Sequence, residues 1–213
     1  MKIFDISRGL TNDLAPWPGD TPFTFELKGQ IAQGSSVNVG AIEMSVHNGT
    51  HADAEFHFDS AGWTMEKAEL QTYFGPAVVL DLTKLFQDGT LPKIGVGDLE
   101  RMEALSEAPR LLLKTGIWPD STKFPKKIPV IAPEVPAWLQ ARGVKLLGLD
   151  LPSVDEIDAK ELLNHHSLGK AGINIVESLD LSEIREGRYQ FVGLPLKIAG
   201  ADGAPIRAIL WRD

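Results

Sequence analysis

Twelve consecutive residues, His47 to Phe58, hold most of the side chains in this chain suited to chemistry. They read His-Asn-Gly-Thr-His-Ala-Asp-Ala-Glu-Phe-His-Phe, so three of the 5 histidines stand beside Asp53 and Glu55. The other two are adjacent, His165 and His166, and Glu177 follows them. Imidazole nitrogens and carboxylates grouped in this way suit zinc or a similar divalent ion. His47, Gly49, His51, Asp53, Glu55 and His57 recur at every second position, and an extended chain turns all of them to one face. A straight strand cannot wrap one ion with them. His47 to Asp53 would span roughly 20 Å at about 3.3 Å per residue, whereas a ligand atom sits about 2 Å from zinc. The backbone must bend, and Asn48-Gly49 is a dipeptide that tolerates the positive φ of a turn. The competing reading is an ordinary hairpin turn with the histidines on a solvated face.

The elements that must position these groups read as an α/β chain. Residues 36–46 alternate, with Ile42, Met44 and Val46 on one face, and lead into the histidine cluster. Residues 2–6 and 23–27 read as further strands. Between those two, Pro16-Trp17-Pro18-Gly19-Asp20 fixes a loop on which Trp17 either caps the core or walls a pocket. Residues 64–72 have helical composition, and Gly75-Pro76 reads as a break. Residues 77–82, 111–115 and 145–150 are apolar runs of the kind buried in a parallel sheet. Helices are expected from Gly97, with Asp98 as N-cap and Leu99, Met102 and Leu105 as the stripe, and over residues 133–141, ended by Gly143. Residues 117–129 read as an exposed loop. The alternation of strand and helix over 77–150 predicts parallel neighbours. Residues 155–163, with Asp158 as candidate cap, lead to His165-His166 at a helix C-terminus, and residues 173–177 form a strand carrying Glu177. Final strands fall at 191–196 and 205–210, with the turn at 200–203.

Composition narrows the function. The chain has 213 residues, 43% of them hydrophobic and 23% charged, which suits one domain over residues 1–213. A net charge of −8 argues against a nucleic-acid partner. No apolar run is long enough for a membrane span, and the first residues lack the apolar core of a signal peptide. With no cysteine, any metal rests on nitrogen and oxygen donors, and a cytoplasmic location is expected. The lone Gly-X-Gly at 95–97 lacks the rest of a dinucleotide fingerprint.

The run His47-Asn48-Gly49-Thr50-His51-Ala52-Asp53-Ala54-Glu55-Phe56-His57 resembles the signature of the metal-dependent cyclase-like hydrolases. Further segments are similar to the bacterial kynurenine formamidase (arylformamidase) branch of that family. They are Trp17-Pro18-Gly19-Asp20, residues 36–40, residues 148–155, His165-His166 and residues 201–207. The resemblance implies a swivelling β/β/α fold, a homodimer, and two divalent ions per chain, zinc in the first place and manganese as the alternative. It implies His47, His51, Asp53, His165 and Glu177 as metal ligands, with both carboxylates bridging, and His165 rather than His166 by its spacing to Glu177. His57 takes the place of the proton shuttle, and Trp17 that of a residue lining the substrate pocket. In one respect the chain departs from the pattern. Glu55 stands where the family has proline, and the period of two places its charge beside Asp53 and His57.

The implied activity is hydrolysis of a small-molecule aryl amide, N-formyl-L-kynurenine, to L-kynurenine and formate in tryptophan breakdown. A bound ion brings the pKa of water from 15.7 to about 7, which supplies hydroxide at neutral pH. Two alternatives stand beside this reading. One is a related hydrolase of cyclic or aryl amides such as isatin, whose motif also begins His-Asn-Gly-Thr-His. The other is a metal-binding protein without catalysis, against which the presence of His57 argues.

Overall fold

Apolar residues at alternating positions build a 9-stranded mixed sheet, and a computed structural model describes residues 1–100 and 108–212 of the chain around it. In chain order the strands are β1 (Lys2–Asp5), β2 (Thr24–Gly29), β3 (Val39–Glu43), β4 (His51–Asp53), β5 (Phe74–Asp81), β6 (Arg110–Lys114), β7 (Leu146–Leu149), β8 (Asn174–Glu177), β9 (Gly187–Val192), β10 (Gly203–Pro205) and β11 (Ile209–Arg212). The described helices are α1 (Val96–Leu99), α2 (Val135–Ala141) and α3 (Leu163–Lys170). Strand order in the large sheet is β1-β11-β9-β5-β6-β7-β8-β4-β10, while β2 and β3 form a separate ribbon. Strands β5 to β8 are parallel neighbours, as the sequence predicts, and antiparallel strands extend the sheet on both sides.

The two faces follow directly from the alternation. Val78 and Leu80 join Leu111, Leu113, Leu147 and Leu149 in one cluster, covered by Leu99 of α1, Leu139 of α2 and Leu168 of α3. Ala77, Val79, Leu112 and Val176 face the other way, into a cluster that also takes Ala52 of β4, Phe191 of β9, Ala204 of β10 and Leu210 of β11. One buried cluster therefore joins the middle of the sheet to both of its flanks, and the sheet curls over it as a half-barrel. Each of these valines and leucines contributes roughly 1.5–3 kcal/mol by leaving water. Among the described residues, no helix is long and apolar enough to cross a membrane.

Several local expectations need correcting. Gly75 and Pro76 do not break the chain but lie inside β5. Pro76 pairs with Gln190 on one side and stands beyond the reach of β6, which begins pairing at Val78, so its missing N–H leaves no gap. Residues 64–72 form two short 3₁₀ turns, Met65–Lys67 and Leu70–Tyr73. Only Val39–Glu43 of the segment 36–46 is strand. Asp98 is not the cap of α1 but its third residue, and its carboxylate accepts the Gly95 N–H at 2.8 Å. Met102 and Leu105 lie outside the described residues. The expected strand at 191–196 falls earlier, as β9, and that at 205–210 is divided between β10 and β11.

The His165-His166 pair sits in the first turn of α3 rather than at a helix C-terminus. Asp155, not Asp158, serves that turn, because its carboxylate accepts the N–H groups of Asn164 and His165 at 3.0 and 3.1 Å. A cap supplied from eight residues upstream carries none of the spacing by which caps are read from sequence.

Candidate active site and metal centre

The bend demanded by the histidine spacing is present at residues 45–50. Gly49 has φ 66, and a Cβ there would lie 2.9 Å from Leu10 Cδ2, so both conformation and space call for glycine. Thr50 pins the turn by donating from Oγ1 to Ser178 O at 2.7 Å and accepting the Arg8 N–H at 2.8 Å. Beyond it His51 and Asp53 occupy β4 two residues apart and share a face. The antiparallel register with β8 sets His51 opposite Glu177. The first turn of α3 brings His165 to the same place, while His166, one residue on, is exposed and packs edge-on against Phe58.

Five side chains converge there. Asp53 Oδ1 lies 3.1 Å from His47 Nδ1 and 3.3 Å from His51 Nε2, and its Oδ2 lies 3.7 Å from His165 Nε2. Glu177 spans the same two imidazoles, with Oε2 3.5 Å from His51 Nε2 and Oε1 3.6 Å from His165 Nε2. Two sets of ligand-type atoms result, His47–His51–Asp53 and Asp53–His165–Glu177, each with its atoms within 4.8 Å of one another. Asp53 belongs to both. Carbonyl and carboxylate oxygens only accept, so the bonds from His51 Nδ1 to Gly49 O at 2.8 Å and from His165 Nδ1 to Asp155 Oδ2 at 2.7 Å fix the tautomers. Both rings are left with an Nε2 lone pair aimed at the carboxylates, the outer-shell arrangement that orients metal-ligating histidines.

Whether this donor set fits a cation is tested by its unpaired atoms. His51 Nε2 and Asp53 Oδ2 are buried and make no hydrogen bond. Leaving such an atom unpaired costs about 1–3 kcal/mol, and a divalent ion within reach of both sets removes that penalty. The titration behaviour points the same way. Burial opposes charge on His51, but the Asp53 and Glu177 carboxylates beside its Nε2 outweigh it and raise its pKa to about 10. His47 is likewise desolvated, yet bonds to Asp202 and Asp53 carry it to about 9. Burial pushes Asp53 up, and His47 and His51 hold it well below the usual carboxylate range. The cluster thus draws positive charge, and the residues present fit a divalent metal.

His57 stands apart from this behaviour. It sits on the 3₁₀ turn Glu55–His57 with its side chain 30% exposed, and its ring lies 4.0 Å from that of His47 between centroids. Burial, then repulsion from His47 and His165, pushes its pKa down against the opposing pull of Asp53 and Glu177. Its imidazole is therefore neutral near pH 7 and able to take a proton. Glu55 opens the same turn but faces elsewhere. A Cβ on Gly62 would fall 2.8 Å from Glu55 Cγ, and one on Gly169 would fall 4.0 Å from its Oε1, so the side chain lies over those glycines. The turn ends strict alternation at Ala54, which corrects the expectation that Glu55 shares the face of Asp53 and His57.

The cluster opens into a cavity of about 270 Å³ lined by Trp17, His47, His57, Trp118, Phe124 and Glu177, among others. Trp17 meets Phe124 edge-on at 5.2 Å, and Phe124 meets Trp118 at 5.8 Å. Trp17 is thus a wall of the cavity, the second of its two sequence readings. Trp118 and Phe124 come from the loop 117–129 and were not singled out from the sequence, where only their aromatic character in a Pro-rich stretch marks them. Asp202 was also missed as a site residue. Its Oδ2 accepts from His47 Nε2 at 2.9 Å and lies 3.5 Å from His57 Nδ1, and these contacts, His47 foremost, hold it far below the ordinary carboxylate range. It precedes Gly203, which β10 pairs with Asp53.

The fold that carries this donor set is shared with solved hydrolase structures. A solved structure described as a potential metal-dependent hydrolase with cyclase activity aligns over 98% of this chain and 96% of its own, at TM-score 0.80 and 26% identity. Isatin hydrolase A from Ralstonia solanacearum has the same fold, at TM-score 0.83 and 20% identity over 98% and 91% of the two chains. The family model described as "Putative cyclase" matches residues 4–156, and the chain belongs to that family. A kynurenine formamidase of Bacillus cytotoxicus is 42% identical over 206 residues, 97% of this chain and 95% of that protein.

Proposed function

We propose that this chain is a metal-dependent arylformamidase, hydrolysing N-formyl-L-kynurenine to L-kynurenine and formate by cleaving a C–N bond. The observation that carries this reading is the likeness, over nearly the whole chain, to a protein named kynurenine formamidase. In the proposal His47, His51 and Asp53 hold one ion, and Asp53, His165 and Glu177 hold a second, with zinc as the metal. When bound, such ions polarise the scissile carbonyl and lower the pKa of water from 15.7 to about 7.

The chain's own residues do the rest. His57 takes the proton of the attacking water as oxygen adds to the formyl carbon. It then gives the proton to the aniline nitrogen as the C–N bond breaks. Asp202, beside Nδ1 of His57, leaves Nε2 as the nitrogen that exchanges the proton. The edge-on series Trp17, Phe124 and Trp118 offers the aryl ring an apolar seat against which it packs.

We further propose that residues 1–213 act as one domain and that two chains associate through the β2–β3 ribbon. Phe25, Leu27 and Ile42 share one face of that ribbon and are 50%, 41% and 61% exposed. A two-stranded ribbon with an uncovered apolar face is marginal by itself. The activity is tested by turnover of N-formyl-L-kynurenine and isatin alongside elemental analysis. Faster hydrolysis of the formamide by protein containing metal is expected. Preference for isatin overturns the substrate, and metal without turnover of either overturns the enzyme.

A further inference from the structure

The loop that carries Trp17 also carries a carboxylate that hydrolysis, as derived above, does not use. Trp17-Pro18-Gly19-Asp20 forms a type II turn, in which the Asp20 N–H donates to Trp17 O at 2.9 Å and Gly19 has φ 98. The loop is tied to the turn bearing His47. Ser45 N–H and Asn48 Nδ2 donate to Thr21 O at 3.0 and 2.8 Å, and Ser45 Oγ donates to Asp20 Oδ2 at 2.9 Å. Asp20 is thereby held as a lining residue of the same cavity as Trp17, His57 and Trp118. Among the described residues, its Oδ1 accepts no hydrogen bond and no lysine or arginine pairs with it. The lining includes neither lysine nor arginine, and Asp20 is its one charged side chain outside the histidine–carboxylate cluster.

We propose that Asp20 binds a cationic amine of the substrate, so that the cavity selects aryl amides carrying a primary ammonium over amine-free ones. The inference rests on the formylkynurenine reading, in which the far end of the substrate bears both an ammonium and a carboxylate. The cavity offers the ammonium a fixed, half-buried carboxylate with a free oxygen, and a charge-assisted hydrogen bond is strong in such a place. It offers the substrate carboxylate no cationic side chain. Recognition therefore falls on the amine, and the carboxylate is dispensable.

Three substrates separate the two ends: N-formyl-L-kynurenine, its decarboxylated amine and its deaminated acid. With the parent protein, the decarboxylated amine should stay within about threefold of N-formyl-L-kynurenine in kcat/KM. The deaminated acid should lose roughly 10- to 100-fold, chiefly through KM, as for a hydrogen bond to a charged group. Asp20→Asn keeps an acceptor for Ser45, and should lower kcat/KM for both amine-bearing substrates by that factor. Its effect on the deaminated acid should be at least tenfold smaller, and the Kd for L-kynurenine should weaken in parallel. Equal losses on all three substrates would make Asp20 a brace for Ser45 and the His47 turn, and overturn the proposal. So would a deaminated acid that the parent turns over as well as N-formyl-L-kynurenine. Inactivity of the parent on all three removes the formamidase reading instead. The L-kynurenine titration then decides Asp20 alone: binding by the parent weakened in Asp20→Asn supports the role, and equal binding or none ends it.

Discussion

Glu55 and His57 are two residues apart and stand at the two ends of the same turn, yet the structure gives them opposite fates. His57 faces the cavity, where burial and then the neighbouring His47 and His165 lower its pKa, and bound cations push it the same way. A base must be unprotonated to act, so a lowered pKa moves the acid limb of kcat/KM below the ordinary imidazole value of 6.5. His57→Ala should retain its metal and lose roughly 10²–10⁴ in rate, the usual worth of a general acid–base group. A variant that hydrolyses formylkynurenine at the parental rate would show that another group carries the proton. Glu55, lying over Gly62 and Gly169, lines a small cavity with Asp53, Phe58 and Trp63 and not the one that His57 lines. Glu55→Gln should accordingly give a pH–rate profile superimposable on the parent's. An acid limb displaced by half a pH unit or more would return Glu55 to the chemistry. Ala54, at φ −91 and ψ 156, already has the extended conformation that precedes proline, so Glu55→Pro should keep the fold.

At the scale of elements, the centre depends on where α3 starts. Asp155 accepts two backbone N–H groups of its first turn and also the Nδ1–H of His165, joining a helix cap to the orientation of a ligand-type ring. Asp155→Ala should lower metal affinity about 10- to 100-fold and lower stability by about 1–2 kcal/mol through the lost cap. Elemental analysis and thermal unfolding measure the two effects, and a variant with full metal content and parental Tm would reduce Asp155 to a bystander. This element also marks how far sequence reaches. The run His47–His57 was legible because its six spaced positions and Asn48-Gly49 are local, and the buried parallel strands were legible from their apolar runs. Asp155, Asp202, Trp118 and Phe124 were not, because what makes them part of the site is register and loop closure between distant segments. The same cause misplaced the His165-His166 pair at the wrong end of its helix. A cap provided through space leaves no periodic trace.

At the scale of the whole molecule, the central strands β6, β7 and β8 of the large sheet bury their apolar side chains within the chain, and the β2–β3 ribbon does not. Phe25 stands opposite Ile42 and its ring covers Gly40, where a Cβ would come within 2.3 Å of it, so the ribbon is ordered by its own cross-strand packing. That packing leaves Phe25, Leu27 and Ile42 facing out together, and a second copy of the chain is the proposed cover. A charge in the middle of such a face must be desolvated on association without a partner, which is far more costly than losing the apolar contact alone. Ile42→Glu is exposed in the single chain, so it should leave the fold and the metal centre intact while weakening association at least tenfold. Size exclusion with light scattering over micromolar concentrations reads the change from dimer to monomer, and circular dichroism checks the fold. A parent that is monomeric throughout this range, or a variant that dimerises as tightly as the parent, would remove the ribbon from the interface.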